Sequence, residues 1–355
     1  MVKEILNRFK QLLTAKSVTS GGVITDNLTH PDGVAPVIDI TNLFPEKNVE
    51  LVRKGDYVLF SPKSEQWKDV VYFDNDKQQW VKNNVISPVD YIKQRSQIQV
   101  KPKSYGDTRG LSWILAQYFM QNYPSFPILY FDVGGYVGNF TIETALLSQY
   151  ENFDVEIFTF EPSALFPVLK KSIEINHLKP KINLLKMAIS DVTGPILYSY
   201  QAGWFIGGHL GEAHSGVELS EICDSTTIDD FVEREKGFQL PHCFIIKLDC
   251  QGYEYQIYQG CQRLLETDSP VIFLSEFLSW SYTEQYQKFL DNFFVMDAKS
   301  HMFLQGVDLL ESQDMPAFLE RIKATESLTT DLILIPKKLK NAERLVSDIL
   351  SKSKC

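Results

Sequence analysis

The chain has 355 residues, of which 44% are hydrophobic, and this is enough to bury a large core. Its formal net charge of -10 disfavours a nucleic-acid partner, because binding to phosphates needs a basic surface. No apolar run reaches the roughly 18 residues needed to cross a bilayer.

The first hundred residues carry short strand-like runs separated by polar segments rich in turn residues. Residues 57–60 and 70–73 are the clearest of these runs. They predict a small β-rich or mixed accessory domain over residues 1–100, in which we recognise no catalytic motif.

From about Phe126 onward, apolar strands alternate with amphipathic helices. The predicted strands are 128–132, 156–161, 182–189, 243–249, 270–276, 293–297 and 331–335, and the helices include 164–176 and 252–265. Residues 191–195 predict a hairpin turn instead of a helical connection. Over residues 101–336 the alternation predicts an α/β fold, with a seven-stranded Rossmann-like sheet whose last pair is antiparallel.

A glycine-rich turn follows the first of these strands and has the sequence Asp132-Val133-Gly134-Gly135-Tyr136-Val137-Gly138-Asn139. A strand, a glycine turn and a helix start form a nucleotide-binding crevice, since glycine lets the backbone approach a ligand closely. Asp132 can accept hydrogen bonds from a cationic or hydroxyl-bearing group. Glu161 ends the next apolar run and is placed to bind two ribose hydroxyls. Together they predict a site for S-adenosylmethionine.

Three alternatives remain for this turn. A nicotinamide dinucleotide site typically has the pattern Gly-x-Gly-x-x-Gly, and the glycines at 134, 135 and 138 differ from that spacing by one residue. Asp132 also suits the ammonium group of a cofactor without phosphate better than it suits a pyrophosphate. A nicotinamide-dependent oxidoreductase, a non-catalytic protein that keeps the cofactor fold, and a purely structural turn are the competing interpretations.

Residues 245–254, Ile-Ile-Lys-Leu-Asp-Cys-Gln-Gly-Tyr-Glu, are the second informative stretch. A buried strand ends at Asp249, and a glycine turn then opens a helix that carries Glu254. Ligands of open α/β sheets bind outside the carboxyl ends of the strands. We therefore expect Asp249, and Glu276 at the end of the next strand, to face the same crevice as Asp132 and Glu161.

Five segments occur in the order seen in the FkbM-type methyltransferase family, which the chain resembles over residues 105–336. They are residues 132–141, 160–162, 188–191, 226–231 and 246–254. The resemblance implies a Rossmann-like, S-adenosylmethionine-dependent enzyme that acts mostly on hydroxyl groups of natural products and glycans. The usual Asp-x-Glu-Gly-x-Glu segment has Gln251 in its third place, so one carboxylate of that pattern is replaced by an amide.

The resemblance also implies a set of cofactor contacts. Residues 132–139 would surround the methionine part, Glu161 the ribose, and residues 187–189 the adenine, although Met187 suits plain core packing equally well. The predicted cofactor-binding residues are Asp132, Gly134, Gly135, Tyr136, Val137, Gly138, Asn139, Thr141, Glu161, Pro162, Met187, Ala188 and Asp249. Residues 226–231 read more simply as a helix start, with Thr226 or Thr227 as its N-cap.

An alcohol is a poor nucleophile, so a hydroxyl acceptor needs a base or a metal ion. Asp249 is the first candidate, followed by Glu254 and Glu276. His209 and His214, in a glycine-rich segment, are suitable bases near neutral pH, but a surface or capping role is the simpler reading of each. A magnesium ion bound by Asp249 and neighbouring carboxylates is an alternative. Glu254 equally suits the first turn of a helix.

The acceptor is expected to be a small molecule or a glycan. Nucleic-acid methylation is disfavoured, because the segment after the fourth strand lacks the Asn/Asp-Pro-Pro-Tyr/Phe pattern of enzymes that methylate base amines. Residues 1–16 and 337–355 are basic and amphipathic, which is typical of helices on anionic membranes. We favour packing on the protein's own surface, or on a second copy of the chain. The five cysteines, with no Cys-x-x-Cys pair, predict reduced thiols in the cytoplasm.

Overall fold

The computed structural model describes residues 49–54, 57–62, 71–74, 79–82 and 108–353, the last range with gaps at 164, 176–177, 179–180, 202–203, 212–217, 239–240, 299–306 and 325–328. The helix predicted at residues 1–16, the domain boundary near residue 100 and His214 lie outside these residues.

The described strands, in chain order, are β1 Val49–Lys54, β2 Tyr57–Pro62, β3 Val71–Asp74, β4 Gln79–Lys82, β5 Ile128–Val133, β6 Glu156–Phe160, β7 Lys181–Leu185, β8 Ala188–Ile189, β9 Gly194–Gln201, β10 Trp204–Leu210, β11 Glu218–Thr226, β12 Cys243–Leu248, β13 Val271–Leu278, β14 Phe293–Asp297, β15 Asp308–Leu310 and β16 Thr329–Pro336. The described helices are α1 Thr108–Asn122, α2 Asn139–Glu151, α3 Phe166–Ile175, α4 Ile228–Glu235, α5 Glu254–Gln259, α6 Gln262–Glu266, α7 Glu284–Leu290, α8 Met315–Lys323 and α9 Ala342–Lys352, with short 3-10 turns at Ser279–Ser281 and Ser312–Asp314.

The N-terminal strands form two antiparallel hairpins, β1 with β2 and β3 with β4. The strand runs predicted at residues 57–60 and 70–73 are confirmed as β2 and β3. Whether they belong to a separate accessory domain stays a prediction.

The central sheet has the strand order β15-β14-β16-β13-β12-β5-β6-β7. Its strands from β7 to β13 are parallel, and β16 runs antiparallel to both β13 and β14. The middle strands β5 and β12 are buried along their whole length, as expected where both faces of a parallel sheet are covered. The predicted α/β sheet is thus confirmed, with β15 as an eighth strand at its edge.

A second sheet has the order β10-β9-β11-β8 and corrects two predictions. The run at residues 182–189 is two strands, because β7 ends at Leu185 and β8 joins the second sheet. The hairpin predicted at residues 191–195 is wrong, since β11 lies between β8 and β9 and pairs with both. Ser225 supports this arrangement, because its hydroxyl lies within hydrogen-bond distance of the carbonyls of Val192 and Gly194, at 2.8 and 2.7 Å, and donates to one of them.

The helix predicted at residues 252–265 is also divided, into α5 and α6. Asp229 explains the break, because its carboxylate accepts the backbone N–H groups of Arg263 and Leu264, both at 2.8 Å, and so caps α6 separately. At Gly260 an added Cβ would lie 2.5 Å from the carbonyl oxygen of Ser190, so the connection passes too close to β8 for a side chain. Thr227 is confirmed as an N-cap, since its side chain accepts the N–H of Asp230.

The C-terminal helix α9 packs on the body of the protein. Leu345, Val346 and Ile349 are buried in the same apolar cluster as residues of α1. The Tyr118 hydroxyl on α1 donates to the carbonyl of Lys340 at 2.6 Å, just before α9 begins. The apolar face of this amphipathic segment is therefore covered by the chain itself. Within the described ranges, the helices are all too short or too polar to cross a membrane.

Candidate cofactor and acceptor site

The glycine turn between β5 and α2 is held against two neighbouring strands. The N–H groups of Gly134 and Gly135 both donate to the carbonyl of Phe160, at 3.1 and 2.9 Å, which ties the turn to the end of β6. Gly134 has φ +78°, and an added Cβ there would lie 2.2 Å from the backbone oxygen of Asp249. Glycine is required at this position because the end of β12 comes so close.

Asp132 lies at the carboxyl end of β5 and is completely buried. One carboxylate oxygen accepts the N–H and the hydroxyl of Thr141 at 3.1 and 2.7 Å, so Asp132 orients the first turn of α2. The other oxygen lies 3.0 Å from the Lys247 ammonium. The partners of Asp132 are thus a cation and a hydroxyl group, as its position predicts, but both come from the protein. Direct contact with a ligand stays a prediction.

Glu161 follows β6 and is only 5% exposed. Its two carboxylate oxygens accept the N–H groups of Tyr136 at 2.7 Å and Ser163 at 3.0 Å. Burial raises the pKa of Glu161, and hydrogen bonds from the side chain and backbone of Ser163 and from the backbone of Tyr136 offset part of that effect. A carboxylate has about four acceptor positions, so Glu161 retains the capacity to accept a hydrogen bond from a ribose hydroxyl.

Asn139 begins α2 directly after the glycine turn. Its side-chain oxygen is buried and has no hydrogen-bond partner among the described residues. An unsatisfied buried acceptor costs about 1–3 kcal/mol, which a donor from a bound ligand would recover. This acceptor fits a cofactor whose amino-acid end carries an ammonium group.

The predicted adenine-side residues lie where the second sheet meets the central one. Ala188 is buried in β8, Met187 is half-buried against an apolar cluster, and Pro162 is half-buried after β6. Of the remaining predicted residues, Val137 and Gly138 are buried at the end of the turn. The structure brings the whole predicted cofactor set to the carboxyl ends of β5 and β6, to β8 and to the end of β12.

On the acceptor side, Asp249 and Glu276 are joined by one amide. The Gln251 side-chain nitrogen donates to Asp249 at 3.0 Å and to Glu276 at 2.8 Å. The Thr329 hydroxyl donates to the other oxygen of Glu276 at 3.2 Å. Burial, followed by the charges of Asp249 and Glu254, raises the pKa of Glu276 well above its usual value. Gln251, where the family pattern has a carboxylate, thus holds two carboxylates together.

Glu254 is the first residue of α5, directly after the turn that follows β12. It is 1% exposed and accepts the N–H of Cys250 at 2.8 Å. Burial, with a smaller contribution from the charge of Asp249, raises its pKa to about 7. Its carboxylate thus holds the backbone of that turn, and contact with an acceptor stays a prediction.

We expect the buried carboxyl group of Glu254 to make the free energy of unfolding depend on pH. Because the pKa of Glu254 is higher in the folded than in the unfolded protein, its contribution to stability is complete below about pH 4.5. That contribution is lost as the pH rises through about 7. The melting temperature should therefore fall over this range, and Glu254→Gln should remove part of the fall. Thermal unfolding measured at several pH values tests this, with the exposed Glu266→Gln as control. An unchanged slope in Glu254→Gln would contradict it.

The candidate base His209 lies in a different sheet from the carboxylates at the ends of β12 and β13. His209 is buried on β10, opposite Ser199 of the second sheet, whereas Asp249 and Glu276 belong to the central sheet.

Trp280 is 52% exposed, and its ring covers Gly252, where an added Cβ would lie 2.1 Å from the ring. Trp280 therefore places an aromatic surface directly beside the turn that carries Gln251.

Lys247 is not among the predicted site residues, yet it lies between the glycine turn and Asp249. Lys247 is 1% exposed in β12, 3.0 Å from Asp132 and 3.7 Å from Asp249. The signal available in the sequence was one lysine inside an otherwise continuous apolar strand. A charge so placed is rarely buried unless it is paired.

A metal ion at Asp249 finds no support in the part of the chain that the structure describes. Within it, no group of three or more His, Cys, Asp or Glu side chains is arranged to hold one. The position between Asp249 and Glu276 is instead bridged by the Gln251 amide.

A mainly parallel sheet with an antiparallel last strand, a glycine turn after one central strand and a carboxylate after the next is a Rossmann-like nucleotide-binding arrangement. The Methyltransferase FkbM domain matches residues 132–314, which is more than half of the chain. The chain belongs to this family.

No curated protein matches the chain. Among solved structures, the plantazolicin methyltransferase BpumL in complex with S-adenosylhomocysteine is 12% identical, with 70% of this chain and 91% of that chain covered and a TM-score of 0.30. A Listeria monocytogenes protein described as a class I S-adenosylmethionine-dependent methyltransferase is 10% identical, with 69% and 70% covered and a TM-score of 0.32.

Proposed function

We propose that the protein is an S-adenosylmethionine-dependent O-methyltransferase that acts on a hydroxyl group of a glycan, sugar or natural product. The observation that carries the proposal is the contact between the cofactor turn and the candidate base. Gly134 lies against the backbone oxygen of Asp249, and the Asp249 N–H donates to Val133 at 3.2 Å. A cofactor on the turn and an acceptor at Asp249 would therefore be neighbours.

The residues present fit the cofactor. Glu161 would accept the ribose hydroxyls, the Asn139 oxygen would accept from the ammonium group, and Met187 would pack on the adenine. When bound, S-adenosylmethionine supplies a methyl group on a positively charged sulfur. The turn and the end of β12 would hold acceptor and methyl group in line, and such orientation supplies several kcal/mol of the barrier.

Asp249 is the group that would orient the acceptor hydroxyl and take its proton. Its side chain is 31% exposed, whereas Asp132 is fully buried and Glu254 nearly so. The Gln251 amide would keep Asp249 and Glu276 in a fixed relation, and burial, followed by the charges of Asp249 and Glu254, raises the pKa of Glu276 well above its usual value. Trp280 beside them would stack on the apolar face of a sugar, which supports a glycan or sugar acceptor.

Incubation of the protein with methyl-labelled S-adenosylmethionine and fractionated glycans and metabolites tests this function. We expect label in an alkali-stable methyl ether, and a rate of labelling at least about 100-fold lower with Asp249→Asn. Label transferred to an amine or a carboxyl group would contradict O-methylation of a hydroxyl. We further propose a cytoplasmic location and no nucleic-acid acceptor, in keeping with the net charge and the cysteine pattern.

Glu161→Ala is expected to weaken binding of S-adenosylhomocysteine roughly ten- to a hundred-fold, because hydrogen bonds to a charged group are worth about 1.5–3 kcal/mol. Calorimetry on the folded variant measures the change. Glu156→Ala is the matched control, since Glu156 lies at the opposite end of the same strand and pairs with Lys181 and Lys236. Unchanged affinity in Glu161→Ala would show that the ribose is held elsewhere.

A further inference from the structure

Lys247 is a charged side chain in the middle of the central sheet. It lies in β12 directly beside Asp132 of β5 and is 1% exposed. Removing an ammonium group from water is costly unless it is paired and its protons are accepted by other groups. A lysine in this position therefore carries a desolvation penalty that an apolar residue would not have.

The ammonium group of Lys247 contacts both halves of the site. It donates to the carbonyl of Gly134 at 2.7 Å and lies 3.3 Å from the carbonyl of Val133. It also lies 3.0 Å from one oxygen of Asp132 and 3.7 Å from one oxygen of Asp249. One cation thus reaches the glycine turn and the carboxylates that follow two different strands.

We infer that Lys247 is a positioning residue that couples the cofactor turn to the acceptor carboxylate. Its bond to Gly134 fixes the turn, and its charge holds Asp132 and Asp249 together where they would otherwise repel. The effect on methyl transfer rests on the proposed function, whereas the effect on the turn does not.

The charge state of Lys247 agrees with this role. Burial alone would lower the pKa of the ammonium group, but the charges of Asp132 and Asp249 outweigh it and raise the pKa above its usual value. Lys247 therefore remains protonated and acts as a hydrogen-bond donor and a cation. It is not a base or a nucleophile for the reaction.

Removing the cation should leave Asp132 with an unpaired buried charge. In Lys247→Met the buried carboxylate of Asp132 loses the ammonium group that lies 3.0 Å away, and breaking a buried ion pair in this way is strongly destabilising. In Lys247→Met/Asp132→Asn this carboxylate is gone, so most of that loss of stability should be recovered.

The experiment compares the full-length wild type, Lys247→Met and the double variant. Melting temperatures are measured at one pH near neutrality. Binding of S-adenosylhomocysteine is measured by calorimetry. We expect Lys247→Met to have the lowest melting temperature and the double variant to recover most of the loss. We expect both variants to bind S-adenosylhomocysteine at least about tenfold more weakly, the weakening that loss of about 1.4 kcal/mol produces.

The double variant keeps the test decisive even where Lys247→Met alone fails to fold, because neutral replacements of a buried ion pair are often tolerated. Wild-type affinity in the double variant would overturn the proposal, since Lys247 would then only balance the charge of Asp132. So would a double variant that melts no higher than Lys247→Met, since positions 247 and 132 would then not act as a charge pair. If the wild type itself does not bind S-adenosylhomocysteine, the proposed cofactor is refuted, and the recovered stability of the double variant still tests the link between Lys247 and Asp132.

Discussion

Asp249→Asn is expected to lower turnover about 100- to 10,000-fold, the contribution typical of a general base. The amide keeps the shape of the side chain but cannot take the proton of the acceptor hydroxyl. The affinity for S-adenosylhomocysteine should change much less, because the ribose and methionine contacts are proposed to come from Glu161 and the glycine turn. Single-turnover methyl transfer together with calorimetry separates the two effects.

The matched control is Asp268→Asn, since Asp268 is exposed at the amino end of β13, on the opposite edge of the sheet. Treatment of the wild type with a metal chelator tests whether Asp249 binds a metal ion instead of acting as a base. Loss of wild-type activity with chelator and its return with magnesium would make Asp249 a metal ligand instead of a base. Near-wild-type turnover by Asp249→Asn, with a wild type insensitive to chelator, would remove Asp249 from the chemistry.

Gly134→Ala should abolish cofactor binding within the measurable range, a loss of at least about 100-fold that corresponds to about 2.7 kcal/mol. The new Cβ would lie 2.2 Å from the backbone oxygen of Asp249, so either the turn or the end of β12 must move. The positive φ of Gly134 adds strain of order 1–3 kcal/mol for a residue other than glycine. Calorimetry with S-adenosylhomocysteine measures the loss.

Gly237→Ala separates the effect of the steric contact with Asp249 from the effect of the positive φ. Gly237 has a similar φ of +67°, but nothing lies within 4 Å of an added Cβ. We expect it to lower the melting temperature slightly and to leave cofactor affinity unchanged. Equal loss of affinity in both variants, or wild-type affinity in Gly134→Ala, would show that the contact between the turn and Asp249 does not shape the cofactor site.

The central sheet was predictable because its signals are local. Continuous apolar runs such as residues 128–131 identify strands that are buried on both faces, and the residues that follow them must lie at one edge of a parallel sheet. Asp132, Glu161 and Asp249 accordingly lie at the carboxyl ends of their strands. The antiparallel pairing of the last two predicted strands is also confirmed, as β14 with β16.

The second sheet was not predictable from local signals. β8 and β9 are separated by a short turn, which favours a hairpin, but β11 comes from about thirty residues later and lies between them. Only long-range contacts, such as those of Ser225 with Val192 and Gly194, decide this pairing. The helix break at Gly260 has the same origin, since it depends on the carboxylate of Asp229.

The chemistry of the site was predictable in part. Sequence position shows that Glu254 and Asp249 are close, but it does not show that Glu254 is buried within the turn. Nor does it show that Gln251 bridges Asp249 and Glu276, because the left-handed backbone of Gln251, with φ +54°, directs its side chain. The role of Lys247 depends on the register between β5 and β12, which places it beside Asp132.

Titration of S-adenosylhomocysteine into the full-length protein, followed by calorimetry, tests the central claim most directly. We predict one site per chain with micromolar affinity, about -8 kcal/mol, and a melting temperature that rises with ligand concentration. No heat with S-adenosylhomocysteine, together with clear binding of a nicotinamide dinucleotide, would contradict the assignment of the crevice.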